Sequence, residues 1–436
     1  MTSDPDERVY YVISDLHIGG DEQLERVDFL DELLVFLRQL KTMDEDVELV
    51  INGDAFGLWE LTHLEGIEKF DHLVSTYPEL FDQLRATGEQ IDITLIPGNH
   101  DHDLAAYEGF VEAFEAYNVE LVPALGLDRP IGDRLIRFEH GHQQDPNNRI
   151  EDFGNPHVTP LGYYYNTHVI SRSGRLSDRG RFNWLKDLQA VTPTERLPLW
   201  LLSKYFYREM NPALRYAFLP FLLLFNISAI MAILAGLDLA GIWSMPADRT
   251  AAILAEFGQA GATVYLLLTV NVAVAGILLL VGIPMYLIIR DFRRTLDRFG
   301  IMETDLTVDP KSPYILAAES VFDTRPETVI YCYGHTHRPK IIQLGDRLLV
   351  NTGTWLKRLY RRDVVTGLLP PVFYPAFQLC AVRIAHDENG ITVDFERVEK
   401  PNPSREELTR VERLLTLGRE PAPELPDSVT IPEDTM

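Results

Sequence analysis

Five times in this chain an extended apolar run gives way at once to a carboxylate, an imidazole or a carboxamide. Residues 9–14 run into Asp15-Leu16-His17 and residues 47–52 into Gly53-Asp54. Residues 91–96 lead to Gly98-Asn99-His100-Asp101, 134–138 to His140-Gly141-His142, and 327–333 to Gly334-His335-Thr336-His337. Polar groups placed where strands end belong to an α/β sheet that binds ligands beyond its carboxyl edge. The 37 positions from His17 to Asp54 and the 45 from Asp54 to Asn99 each fit one helical crossover and its return strand. Leu24, Val27, Leu30, Leu34 and Leu37 fall at helical spacing inside the first interval. A lone Gly-Asp is usually a turn and a lone histidine on an apolar strand usually a satisfied core residue, but five such motifs in order predict an assembled site. Further on, residues 341–344 and 347–350 predict a hairpin, and 377–384 with 391–398 predict closing strands around Glu388-Asn389-Gly390.

Oxygen and imidazole ligands without cysteine suit divalent ions such as manganese, iron or zinc, and a carboxylate can bridge two of them. Asp54 is the candidate bridge. Two ions about 3.5–4 Å apart polarise phosphoryl oxygens, activate a bridging water as hydroxide and stabilise the charge of in-line attack. Gly53, Gly98, Gly141 and Gly334 suit tight turns that leave the rim open to a phosphate, although ordinary turn glycines look the same in sequence.

Taken in order, D-x-H, G-D, G-N-H-D, H-G-H and G-H-x-H, these motifs resemble the calcineurin-like metallophosphoesterase superfamily. The resemblance implies an α/β fold, a β-sandwich flanked by helices, and two divalent metal ions, manganese first and iron or zinc as alternatives. It implies that Asp15, His17, Asp54 and His337 hold one ion, and that Asp54, Asn99, His140 and His335 hold the other. His100 would lie over the phosphate and assist the leaving oxygen, with Asp101 orienting it, and His142 would be a neighbour and no ligand. The stretch Asn351-Thr352-Gly353-Thr354-Trp355 is similar to one that follows the last metal motif in this superfamily. Residues 13–19 together with a membrane-associated insert look like the UDP-2,3-diacylglucosamine hydrolase branch, which cleaves a lipid-linked pyrophosphate; that branch carries Arg where this chain has His100.

His335 follows His140 by 195 positions, far more than one crossover needs. Within that interval residues 217–237 are 21 positions without charge and residues 257–289 are 33 more. About 20 apolar residues span a bilayer. A buried core helix is the plain alternative, but two core helices apolar on every face would be unusual, so a two-helix transmembrane hairpin is predicted. Lys204, Arg208 and Arg215 precede it and Arg290, Arg293, Arg294 and Arg298 follow, while the connection carries only Arg249 against Asp238, Asp248 and Glu256. Positive flanks stay inside, which predicts a two-span cell-membrane protein with the catalytic domain and both termini cytoplasmic.

The predicted organisation is a metallophosphoesterase domain in two parts, residues 8–150 and 312–399. Between them lie a cap-like insert (151–215), the hairpin (216–289) and a juxtamembrane segment (290–311); a C-terminal helix and disordered acidic tail (400–436) follow. Tyr163, Tyr164, Tyr165, His168, Arg172, Arg175, Arg179 and Arg181 are placed either to cap the rim or to pack the hairpin. The acidic opening residues predict no signal peptide, and Cys332 and Cys380 are expected as reduced core residues. With 65 acidic against 40 basic residues the net charge is −25, which would repel nucleic acid. The expected partners are a phosphoester substrate, lipid-linked or soluble, and the membrane. A nuclease of the same superfamily and an inactive membrane scaffold are the alternatives, and all seven expected ligands are present.

Overall fold

A computed structural model of the chain describes residues 8–19, 27–170, 187, 190–191, 196–213, 230, 232–234, 237, 241–242, 247–298, 312–364 and 369–433. The chain divides into two compact units, one of residues 1–200, 309–362 and 373–436, the other of 201–308 and 363–372. The sheets belong to the first.

Its strands are β1 (Val9–Ile13), β2 (Val47–Asn52), β3 (Asp92–Ile96), β4 (Glu120–Leu121), β5 (Gly126–Ile131), β6 (Arg134–Glu139) and β7 (Thr328–Tyr333). They continue as β8 (Lys340–Leu344), β9 (Arg347–Asn351), β10 (Arg358–Arg362), β11 (Val372–Ala376), β12 (Cys380–Asp387), β13 (Gly390–Arg397) and β14 (Val429–Pro432). One sheet has seven strands in the order β14-β13-β12-β1-β2-β3-β4, and a second has five, β5-β6-β7-β9-β8. In the first, β1 to β4 are parallel, joined by helical crossovers, and β12 returns antiparallel along β1 with Val12 opposite Val382. In the second, β6, β7 and β9 are parallel between antiparallel edges.

β1 and β2 are buried along their whole length, so both faces of the first sheet are covered. The period of two sorts their side chains. Tyr11, Ile13, Leu49 and Ile51 enter a core with Leu33, Leu37 and Leu40 of the helix Leu30–Lys41 and with Leu80 and Leu84 of the helix Pro78–Gly88. Tyr10, Val12 and Val50 face the other way, onto Ile136, Phe138, Ile330, Cys332, Leu348 and Val350 of the second sheet. Each such aliphatic burial contributes about 1.5–3 kcal/mol. On the far side of the second sheet, Tyr314, Ala318 and Phe322 of the helix Ser312–Thr324 pack on Tyr331, Tyr333 and Leu349. The result is the expected sandwich of mixed sheets flanked by helices. The predicted hairpin appears as β8 and β9, and the closing strands as β12 and β13, displaced by a few residues at their starts.

Two expectations for the C-terminal segment need correction. The single predicted helix is two, Ser404–Glu407 and Arg410–Leu415, because Thr409 starts the second with a capping box that includes Glu412. The tail predicted as disordered supplies β14, antiparallel to β13, with Ile431 buried in the inter-sheet core. A four-residue alternation in an acidic, proline-rich context hid that strand.

In the second unit the helix Gly258–Arg298 runs for 41 residues. Its segment Gly258–Leu280, 23 residues of mean hydropathy 2.3, is long and apolar enough to cross a membrane by length and composition. It is the one such helix among the described residues. The other expected span, residues 217–237, lies mostly outside them, so one of the two expected spans is described.

Candidate metal centre

The five motifs meet at the carboxyl edges of the two sheets. Backbone hydrogen bonds knit the loop ends together: Asp15 donates to the Gly53 carbonyl, Leu16 and His17 to that of Asp54, and Gly334 to that of His140. Asn52, at the end of β2, donates to the carbonyls of Glu139 and Cys332 and so stitches one sheet to the other. Gly53 takes a φ of +83°, and a Cβ there would strike the His140 ring. A Cβ at Gly98 would collide with the Asp54 carboxylate. Close approach therefore requires glycine at both positions, and at Gly53 the backbone conformation does as well.

Asp15, His17, Asp54, His335 and His337 all have left-handed backbone, with φ between 46° and 61°. The other described non-glycine residues with positive φ are Asn118 and Leu417. Such a conformation costs about 1–2 kcal/mol per residue. It is tolerated here because each motif leaves its strand in a sharp turn that aims the side chain along the sheet edge.

Three groups place their ligand atoms within 4.8 Å of one another: Asp15, His17 and His337; His17, Asp54 and His100; and Asp54, His140 and His335. His337 Nε2 is 3.0 Å from Asp15 Oδ1, His17 Nε2 is 3.7 Å from Asp54 Oδ2, and His140 Nε2 is 3.0 Å from Asp54 Oδ2. Asp54 thus stands between two clusters, where sequence placed the bridge. Asn99 is fully buried beside them. His142 is buried as a neighbour, its ring centroid 5.6 Å from that of His140, and belongs to none of the three groups.

Burial opposes charge on Asp54, yet His140 and His100 hold its carboxyl well below the usual range. Burial likewise works against the His140 cation, but Asp54 and Asp15 push it up to about 10. His17 moves the other way, down to about 3, through burial and the nearby His100. Buried carboxylates are thus compensated by protonated imidazole, the role a divalent cation takes over when it binds. The donor set fits such an ion on two further counts. Asn99 Oδ1 is buried with no hydrogen-bond partner among the described residues. His140 Nδ1 donates to the Asn52 carbonyl at 3.0 Å, so Nε2, beside Asp54, is the nitrogen that would face an ion once its proton is displaced.

One predicted role is corrected. Asp101 does not orient the His100 ring: its carboxylate accepts the backbone N–H groups of Gly98 at 2.6 Å, Phe56 at 3.2 Å and Asp54 at 3.3 Å, fixing the loops instead. Burial and Asp54 raise its pKa to about 7. The partner of His100 is Glu60, whose Oε1 lies 3.3 Å from Nδ1; Asn166 donates to Glu60 and lies 3.3 Å from the same ring nitrogen. Trp59 flanks His100 at 4.4 Å between ring centroids, and Tyr163 meets Trp59 edge-on. Sequence reading missed Glu60, Asn166 and also Asp145, which faces His335; none carries a motif spacing. The beginning of the insert therefore does reach the rim, through Tyr163 and Asn166, while Arg172, Arg175, Arg179 and Arg181 lie outside the described residues.

The expectations for Asn351–Trp355 hold as architecture. Asn351 donates to the Gly334 carbonyl at 2.7 Å and to Thr336, and Thr354 to the Asp15 carbonyl at 2.8 Å, so this stretch braces the first and last motifs.

Among solved structures the chain is similar to a predicted phosphoesterase from Streptococcus pneumoniae, at 12% identity over 90% of this chain and 91% of that one, TM-score 0.28. It is also similar to Vps29 from Entamoeba histolytica (12%, 90% and 99%, TM-score 0.25) and to phosphopantetheinyl hydrolase from Mycobacterium tuberculosis (12%, 80% and 91%, TM-score 0.24). No curated protein matches it. The family model described as calcineurin-like phosphoesterase matches residues 9–231, just over half of the chain and four of the five motifs. The fifth motif lies beyond the match, and the fold returns it to the same rim; the chain belongs to the calcineurin-like phosphoesterase family, and divalent metal binding is implied by that membership.

Proposed function

We propose that this protein is a membrane-anchored phosphohydrolase that uses two divalent ions to cleave a phosphoester or pyrophosphate. The observation that supports it most is the meeting of Asp15, His17, Asp54, His140, His335 and His337 in three overlapping groups, two of which contain Asp54, with Asn99 buried. Asp15, His17, Asp54 and His337 would hold one ion, and Asp54, Asn99, His140 and His335 the other. Such a pair supplies positive charge against the phosphoryl oxygens and a nucleophile usable at neutral pH.

The chain's own groups do the rest. Glu60 and Asn166 fix the His100 ring from its Nδ1 side. Its Nε2 is then the nitrogen available to give a proton to the leaving oxygen. Trp59 lies against His100 and Tyr163 meets Trp59 edge-on, an aromatic wall on that side of the rim. The helix segment Gly258–Leu280, with residues 217–237 as its partner, would anchor the protein to the membrane with both ends of the hairpin cytoplasmic. A lipid-linked or membrane-derived phosphoester is the substrate class that such an anchor favours.

The test is a panel assay of the detergent-solubilised protein with manganese, against phosphomonoesters, phosphodiesters, nucleotide pyrophosphates and phospholipid headgroups. Hydrolysis of at least one class, lost on chelation and restored by metal, is the expected result. Inactivity of metal-loaded protein on every class would favour the scaffold alternative, and selective cleavage of DNA or RNA the nuclease. For topology, reporters placed after Met436 and between Trp243 and Thr250 should lie on opposite sides of the membrane; finding both on one side rejects the hairpin.

A further inference from the structure

The loop after the fourth motif joins two of the proposed ligands that come from different sheets. Asp145 Oδ2 lies 3.1 Å from His335 Nε2 and accepts a 2.6 Å hydrogen bond from Asn148 Nδ2. Asn148 Oδ1 in turn accepts a long contact, 3.5 Å, from Asn99 Nδ2. The loop is held in shape by the same aspartate, whose Oδ1 accepts the Asn147 N–H at 2.9 Å and whose carbonyl accepts those of Asn148 and Arg149. From the insert, Gly162 N–H donates to the Asn147 carbonyl at 2.8 Å, and a Cβ at Gly162 would strike the Asn148 side-chain oxygen.

The order of donors and acceptors along this relay follows from its first member. An ionised carboxylate only accepts. Asn148 must therefore present its NH₂ to Asp145, which turns its oxygen toward Asn99. Asn99 must then present its own NH₂, which leaves Asn99 Oδ1 facing away, buried and without a hydrogen-bond partner among the described residues. On the other side, His335 must carry its proton on Nε2, so the ring's lone pair is on Nδ1. His140 shows the same division of labour with its nitrogens exchanged, Nδ1 held by the Asn52 carbonyl and Nε2 left over.

We infer that Asp145 and Asn148 form a positioning clip that selects the metal-facing atoms of His335 and Asn99, Nδ1 and Oδ1, and so sets the affinity of one of the two ion positions. This rests on the two-ion reading of the site. Groups that hold a ligand's far side typically change metal affinity by about 10–100-fold when removed.

The test is a manganese titration of the metal-stripped full chain in detergent, with free ion followed by electron paramagnetic resonance. Wild type should show two binding events. Asp145→Ala should weaken one of them about 10–100-fold and leave the other in place. Asn148→Ala should weaken the same event by a smaller factor. Nitrogen-15 spectra of histidine-labelled apoprotein should show the His335 signal, identified by its loss in His335→Gln, as the Nε2–H form, with that preference lost in Asp145→Ala. Two unaltered binding events in Asp145→Ala overturn the clip, as does equal loss of both events in a variant that melts like wild-type apoprotein. Fewer than two events in wild type overturn the two-ion reading itself.

Discussion

The two sheets make unequal contributions to the rim. The seven-stranded sheet brings both carboxylates, Asp15 and Asp54, together with His17, Asn99 and His100, whereas the five-stranded sheet brings only imidazoles, His140, His335 and His337. Every carboxylate then reaches across: Asp54 to His140, Asp15 to His337, and Asp15 again to the backbone N–H of His335 at 3.0 Å. The five-stranded sheet brings no carboxylate of its own to the three groups. The site is also a clamp between the sheets, and chemistry and sandwich stability are linked through it.

The severest way to break this division is Asp54→Ala. Hydrolysis should vanish and metal content should fall at both positions, measured by elemental analysis; retention of one ion at wild-type affinity would end Asp54's role as a bridge. His100→Ala is the sharper instrument, because His100 belongs to the same sheet and is not counted as a ligand. Turnover should drop about 10²–10⁴-fold with both ions still bound. Loss of the ions would make His100 a ligand after all.

Chelation probes the clamp directly. Metal at a hundredfold excess over its Kd stabilises the folded state by about 2.7 kcal/mol. Removing it should therefore lower the melting temperature of the sheet-bearing unit by several degrees, read by calorimetry, and an unchanged melting point would mean that the sheets do not depend on the site. The smallest effect is expected in the second unit. Replacing residues 216–289 by a short flexible linker should release soluble enzyme whose activity on a water-soluble diester stays within about threefold of wild type, since closure entropy grows slowly with length. Activity on a bilayer-embedded substrate should fall. Equal loss on both substrates, in folded and metal-loaded protein, would show that the hairpin shapes the rim.

The division between sheets was only partly legible in sequence. Strand ends and their ligands were visible because an apolar run and a polar motif lie side by side in the chain, as at Ile51, Gly53 and Asp54. Which strands share a sheet was not, because the pairing of Tyr10 with Ile384 joins positions that no local pattern connects. Glu60, Asn166 and Asp145 stayed hidden for a related reason. Their function comes from the neighbour each meets in space, and an Asp-Pro-Asn turn or a Trp-Glu pair reads the same whether or not a histidine lies opposite. Asp101 misled in the opposite sense, since adjacency to His100 suggested a contact that the turn spends on backbone N–H groups.

The last strand, β14, covers the first half of the outer edge of β13, Gly390–Val393, which would otherwise offer an open row of hydrogen-bonding groups. β14 is itself four residues long and ends in Pro432, so it makes a poor template for another chain. A tail expected as acidic and disordered thus blunts part of a sheet border. Trimming it before Val429 would leave that border open.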